Sequence, residues 1–175
     1  MPKLEASTSL LLVVDIQARL VPVLNQAPAM IENARRLTVA ARALDVPVVF
    51  VEQNAKALGP TAPELAAVDV VAKMSFDAMG APDFPTHLLA GRSILVIGCE
   101  AHVCVLQTVL SLLDQGHKVF VVLDAVASRR SENKAAALNR AERHGAEIVT
   151  TEMVLFEWLG SAEHPRFREI VALIK

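Results

Sequence analysis

The chain has 175 residues, 53% of them apolar, with 17 basic against 19 acidic side chains and a formal charge of −2. That length suits a single domain over residues 1–175 with a core of its own. Near-neutral charge, 4% aromatic residues and no Tyr provide neither a basic field for a phosphate backbone nor a stacking platform for bases, so nucleic acid is not an expected partner. Mean hydropathy is +0.41, yet the apolar runs last about five residues, against the roughly 20 of a membrane-spanning helix. The stretch from Met1 to Thr8 lacks the pattern of a signal or transit peptide. Two cysteines, Cys99 and Cys104, are too few for a secreted disulfide framework. A cytoplasmic protein without a membrane partner is expected.

In chain order, Ser9 to Val14 is the first continuous apolar run, the pattern of a strand buried on both faces in a parallel sheet. From Ala29 to Leu44, Met30, Ala34, Leu37, Ala41 and Leu44 recur at three- and four-residue steps, with Glu32, Arg35, Arg36 and Arg42 opposite. That is an amphipathic helix. Val46 to Val51 predicts the second strand. The Pro-containing stretches at Gly59 to Pro63 and Gly80 to Pro85 are loop-sized, and Asp69 to Ser75 reads equally well as a short strand or an irregular loop. Ser93 to Ile97 is the next strand. His102 to Asp114 follows as a helix apolar nearly all round, ending near Gly116. Lys118 to Leu123 predicts a further strand, and Ser131 is placed to N-cap a helix that runs to about His144 and stops at Gly145. A weaker strand at Glu147 to Val149 and helices at Glu152 to Leu159 and Pro165 to Ile174 close the chain.

This alternation predicts a three-layer α/β/α, Rossmann-like domain with right-handed crossovers. The mainly parallel sheet is expected in an order of about 3-2-1-4-5-6. The first and fourth strands then adjoin at the switch point, and ligands bind beyond their carboxyl ends. Asp15 ends the first strand, where it serves either a reaction or the cap of a turn. Cys104 falls in the first turn of the helix after the fourth run. Free N–H groups and the helix dipole favour a thiolate there, although a buried Cys on an apolar helix is often inert. Cys99 reads as structural. Asp15 and Cys104 facing across one cleft would make a base and a nucleophile. Lys73, after Val70-Val71-Ala72, is the leading cation for that pair, or a snorkelling surface lysine.

Together these segments resemble the isochorismatase-like cysteine hydrolase superfamily. The resemblance lies in Leu11-Leu12-Val13-Val14-Asp15-Ile16-Gln17, Lys73-Met74-Ser75-Phe76 and Gly98-Cys99-Glu100-Ala101-His102-Val103-Cys104-Val105. It continues through Asp124-Ala125-Val126-Ala127-Ser128-Arg129 and Thr150-Thr151-Glu152, and so covers essentially the whole chain. Gly98 to Cys104 and Thr151 to Trp158 most resemble the small isochorismatase-domain proteins. The resemblance implies a triad of Asp15, Lys73 and Cys104, a cis peptide at Cys99–Glu100, and an oxyanion hole from the backbone N–H groups of Glu100 and Cys104. It implies hydrolysis of a C–N bond of a small amide through a Cys thioester.

Nicotinamidases of this superfamily carry Asp-x-His and a further metal-binding His after the second strand. Here Asp15-Ile16-Gln17 and Val51-Glu52-Gln53-Asn54-Ala55-Lys56 have no His, so neither metal nor cofactor is expected. An intact Asp, Lys and Cys set also favours amide over isochorismate chemistry. Gln17, Phe76 and His102 are candidate pocket residues by position. Arg19 either meets a substrate carboxylate or covers the sheet edge. The apolar helix faces suggest a homo-oligomer. A thiol-bearing binding or redox-sensing oligomer on the same fold is the competing reading. A dinucleotide-binding protein is excluded because no Gly-rich turn or P-loop follows a strand.

Overall fold

Five apolar runs and part of the ambiguous segment become six strands of one sheet in the computed structural model, which describes residues 3–175. They are β1 (Ser9–Val14), β2 (Val48–Gln53), β3 (Val71–Lys73), β4 (Ser93–Cys99), β5 (Lys118–Ala127) and β6 (Glu147–Val149). Every pairing is parallel and the order is β3-β2-β1-β4-β5-β6, as the alternation predicts. Both edge strands have only three residues, which limits the unpaired backbone offered to another chain. The helices are α1 (Ala27–Ala43), α2 (Ala55–Leu58), α3 (Leu106–Asp114), α4 (Ser131–Arg143), α5 (Thr151–Leu159) and α6 (Phe167–Val171). None of them is long and apolar enough to cross a membrane, among the described residues.

The period of two in β1 divides the core. Leu11 and Val13 face one layer with Leu37 of α1, Trp158 of α5 and Ile170 of α6. Leu10, Leu12 and Val14 face the other with Val109 of α3 and Ala137 of α4. All six residues of β1 are buried, which accounts for a run with no polar alternation.

Several boundaries differ from expectation. β2 starts at Val48 because the Val46 N–H is drawn to Ala41 O at the exit of α1 (2.8 Å). β5 continues past Leu123: after a register irregularity, Val126 and Ala127 pair with Gly98 and Cys99. Asp69 to Ser75 contributes a three-residue strand. Ser131 is not the N-cap of α4. Extended Arg130 holds that place without a side-chain cap, and the Ser131 hydroxyl turns to Glu132 instead. The last helix is shorter than predicted, and residues Ala172–Ile174 tighten into a 3₁₀ turn.

Gly98 shows how closely the central strands approach at their carboxyl ends. Its φ is +127°, and a Cβ there would lie 1.9 Å from Val14 O. No side chain fits, so β4 can leave the sheet beside β1 only through a glycine.

Candidate active site

Three carboxyl-terminal strand ends converge. Asp15 leaves β1 in the left-handed region (φ 51°), a conformation that Asp tolerates better than most residues. Its N–H donates to Val51 O (3.2 Å), and its carbonyl accepts from Gln17 N (2.9 Å) and from the Cys99 thiol (3.1 Å). The turn is therefore held from three sides. Lys73 is the last residue of β3. Its ammonium donates to Asp15 Oδ2 (2.7 Å) and to the carbonyls of Ser75 and Phe76 (both 3.1 Å). All three protons are used, and the pair is sealed from solvent, with side-chain exposures of 0% and 1%. A charge-assisted bond with every donor satisfied is the condition under which a buried ion pair is tolerated.

Cys104 lies in a π-turn, Ala101–Val105, between β4 and α3. Its thiol and the Asp15 carboxylate are close enough to shift each other's proton affinity, and Oδ1 of that carboxylate has no hydrogen-bond partner among the described residues. The peptide between Cys99 and Glu100 is cis.

Of the two readings of Cys104, an activated thiolate at a helix start or a buried thiol, burial favours the second. Burial, and then the Asp15 charge, push the Cys104 thiol up to about 12, and Lys73 offsets them only in part. Within the π-turn, the N–H groups of Val103 and Val105 both close on Glu100 O (3.0 and 3.3 Å). Burial also raises Asp15 above its ordinary value of 3.8, against the opposing pull of Lys73. The resting set is therefore a thiol beside the buried Lys73–Asp15 pair. Cys99, fully buried, is pushed well above the ordinary thiol range by desolvation and is committed to the Asp15 carbonyl.

Asp15 and Cys104 open into a cavity of about 200 Å³, walled by Leu20, Leu58, Phe76 and Val103, with Gln53 and Glu100 completing the lining. The larger cavity, about 600 Å³, lies against α3. There the Ser111 hydroxyl donates to Asp77 Oδ2, and His144 turns its Nδ1 to Arg140 O of α4. Among the described residues, no three His, Cys, Asp or Glu side chains gather as metal ligands would.

Of the residues expected in the pocket, Phe76 lines it. Gln17 does not. Its amide donates to Gly59 O (2.7 Å) and Gln53 O (3.2 Å) and accepts from Gln53 N (3.0 Å), bracing the end of β1 to β2. His102 is also outside the lining: Nδ1 meets Ser128 Oγ (3.0 Å) and Nε2 meets Asn133 (3.4 Å). Arg19 donates to the carbonyls of Lys56 and Ala57 (3.2 and 3.1 Å). The Glu100 side chain is bound by Arg129 through both its Nε and its backbone N–H. Burial raises the Glu100 carboxyl, but these bonds outweigh it and hold the group below its ordinary value. Sequence reasoning missed Leu20, Gln53, Leu58 and Val103. Gln53 ends β2 and Leu58 follows it, at the carboxyl end of a strand, where the switch-point rule directs attention.

Comparison with known proteins adds the following. Residues 9–153 match the family described as the isochorismatase domain. The chain is 38% identical over 177 residues to isochorismatase domain-containing protein 2 of Xenopus laevis, covering 98% of this chain and 86% of the relative. It is 38% identical over 179 residues to the secreted isochorismatase effector Isc1 of Phytophthora sojae, covering 96% and 85%. Among solved structures, MAR1 ribonuclease from Caenorhabditis elegans superposes with a TM-score of 0.92 at 36% identity, covering 99% of this chain and 92% of that one.

Proposed function

The chain belongs to the isochorismatase family, and from that premise we propose that it is a cofactor-independent cysteine hydrolase that cleaves a C–N bond of a small amide. The observation that carries this reading is the buried Lys73–Asp15 pair beside the Cys104 thiol, with Asp15 and Cys104 opening into one cavity.

In the proposed reaction, Asp15 takes the thiol proton as Cys104 Sγ attacks the carbonyl carbon. The carbonyl oxygen becomes an oxyanion received by the backbone N–H groups of Glu100 and Cys104. Protonated Asp15 returns the proton to the departing nitrogen, the C–N bond breaks, and a thioester remains on Cys104. Asp15 then takes a proton from water, the hydroxide adds to the thioester carbonyl, the C–S bond breaks as Asp15 returns the proton to Cys104 Sγ, and the acid leaves. Lys73 keeps its charge throughout and holds Asp15 in place. A thiol pushed up to about 12 makes that adjacent base necessary, because the thiolate, not the thiol, is the nucleophile. Proton transfer of this kind supplies about 10² to 10⁴ in rate, so the oxyanion donors and positioning must supply the rest.

The test is a screen of small amides with wild type, Cys104→Ala and Asp15→Asn, together with intact mass under rapid quench. The expected result is an acyl adduct on Cys104 and no turnover in either variant. Undiminished turnover in Cys104→Ala ends the nucleophile assignment.

The competing reading, a thiol-bearing binding or redox-sensing oligomer, is favoured by the same high thiol pKa. It predicts reversible oxidation of Cys104 without an acyl adduct from any amide. RNA, suggested by the name of the C. elegans protein, fits this cavity poorly, since no cation lines it to hold a phosphodiester. Assembly as a homo-oligomer belongs to the proposal and rests on exposed Leu123, Met153 and Phe156. Cytoplasmic residence is proposed alongside it; because one relative is a secreted effector, cell fractionation is the check.

A further inference from the structure

We infer that the cavity over Cys104 selects uncharged carboxamides with a small apolar substituent and rejects substrates carrying a carboxylate or phosphate, because four apolar side chains wall it and, among the described residues, no cation lines it. The inference rests on Cys104 being the nucleophile.

Every nearby positive charge is already engaged or directed elsewhere. Lys73 spends its three protons on Asp15 Oδ2, Ser75 O and Phe76 O. Arg19, the residue expected either to meet a substrate carboxylate or to cover the sheet edge, bonds two carbonyls of α2 and does not line the cavity. Arg129 sits behind Glu100 and holds its carboxylate. Lys56, two residues before Leu58, is exposed and outside the lining. An anionic substrate would find the nearby cations already paired, Lys73 with Asp15 and Arg129 with Glu100, and a buried unpaired charge is among the costliest groups to accommodate. Gln53 can donate to such a group, but a neutral amide does not balance its charge.

The same lining suits a carboxamide. Its uncharged amide group needs no counter-ion, and its substituent finds Leu20, Leu58, Phe76 and Val103. A volume of about 200 Å³ equals roughly six waters at ~30 Å³ each, which limits the ligand to a small one. Selection comes as much from the penalty on the wrong substrate as from contacts to the right one.

The experiment compares alkylation of Cys104 by neutral iodoacetamide and by anionic iodoacetate, reagents of nearly the same size, at pH 9. Peptide mass assigns the label to Cys104 rather than fully buried Cys99. The ratio of the two rates is divided by the same ratio for free 2-mercaptoethanol. The expected preference for iodoacetamide is at least about tenfold beyond the free thiol, a difference of about 1.4 kcal/mol. Glu100→Gln is expected to reduce it. Phe76→Arg, at a position 49% exposed, is expected to bring it near the free-thiol value and covers the case in which Glu100→Gln fails to fold. A wild-type ratio equal to that of the free thiol, or a preference for iodoacetate, overturns the inference. Labelling needs no turnover, so the two readings fail separately. Discrimination without hydrolysis of any amide supports the selectivity and sinks the hydrolase reading. Amide hydrolysis without discrimination does the reverse.

Discussion

Lys73 Nζ lies 2.7 Å from Asp15 Oδ2, though 58 residues separate them in the chain. β2 stands between their strands in the sheet, so the pair spans the carboxyl end of β2. Both charges are out of water, and each depends on the other for its place in the fold.

Removing one partner should therefore cost more than removing both. Lys73→Met leaves a buried carboxylate alone and is expected to destabilise the protein by about 3–5 kcal/mol. The double variant Asp15→Leu with Lys73→Met is expected to recover part of that loss. Urea denaturation of the full double-mutant cycle measures the coupling. A strictly additive result would mean that the pair carries no mutual stabilisation.

Asp15→Asn should separate thiol acidity from catalysis. The Asp15 charge raises the Cys104 thiol whereas Lys73 lowers it. Without the carboxylate, Cys104 becomes more acidic and its alkylation at pH 7 should be faster than in wild type. Turnover should fall by about 10² or more, because no base remains to move the proton. Wild-type labelling should still be rising at pH 9 to 10, consistent with a thiol near 12. A plateau below pH 7 would contradict the burial argument.

The two carboxylates at the site should give opposite dependences of stability on pH. Asp15 is raised above 3.8, so the folded state holds its proton more tightly than the unfolded chain does. Its contribution is fully present below the unfolded value and is lost as pH rises through the folded one. Glu100 is lowered from 4.5. Its contribution is present above that value and is lost as pH falls through the lower folded one. Denaturation midpoints of Asp15→Asn and Glu100→Gln relative to wild type, measured from pH 3 to 7, should diverge in these directions. The acid limb of kcat/KM, which needs ionised Asp15, should have its midpoint above 3.8.

Gly98→Ala is expected to be among the most damaging single-methyl additions in the chain. The new Cβ would stand 1.9 Å from a backbone oxygen at a φ of +127°, so neither neighbour can yield without parting β1 from β4. A loss above about 4 kcal/mol, or failure to fold, is expected. Circular dichroism and soluble yield are the checks. Gly91→Ala, where nothing lies within 4 Å, controls for positive φ alone.

Gln17→Leu should act on structure rather than on recognition. It strands Gly59 O, Gln53 O and Gln53 N, with an expected cost of about 1–3 kcal/mol for leaving buried groups unsatisfied. Thermal unfolding should show that loss, and KM for a given amide should change less than stability does.

The legible parts of the fold were those governed by local pattern. Ser9–Val14 and Ser93–Ile97 read as buried strands because both their faces are covered, and the alternation with helices led to the sheet order. β3 was ambiguous because three residues carry too little periodicity to separate a strand from a loop. The second half of β5 escaped notice since Asp124 and Ala125 interrupt the apolar run, and it is Gly98 and Cys99 of the neighbouring strand that draw Val126 and Ala127 back into register. Ser131 had the right chemistry for a cap, but Arg130 already supplied the extended residue before α4.

By itself, the sequence determined the strand–helix alternation, the apolar faces, and the presence of Asp15, Lys73 and Cys104 at or just beyond the ends of elements. Those properties depend on residues that are neighbours in the chain. Tertiary structure decided what each side chain is free to do: Lys73 saturated by three acceptors, Gln17 spent as a brace, His102 turned to Ser128, and Cys104 held as a thiol by burial and by a carboxylate from another strand. Proton affinity and cavity lining are sums over groups brought together from distant parts of the chain, so they took definite values only once the strand ends had converged.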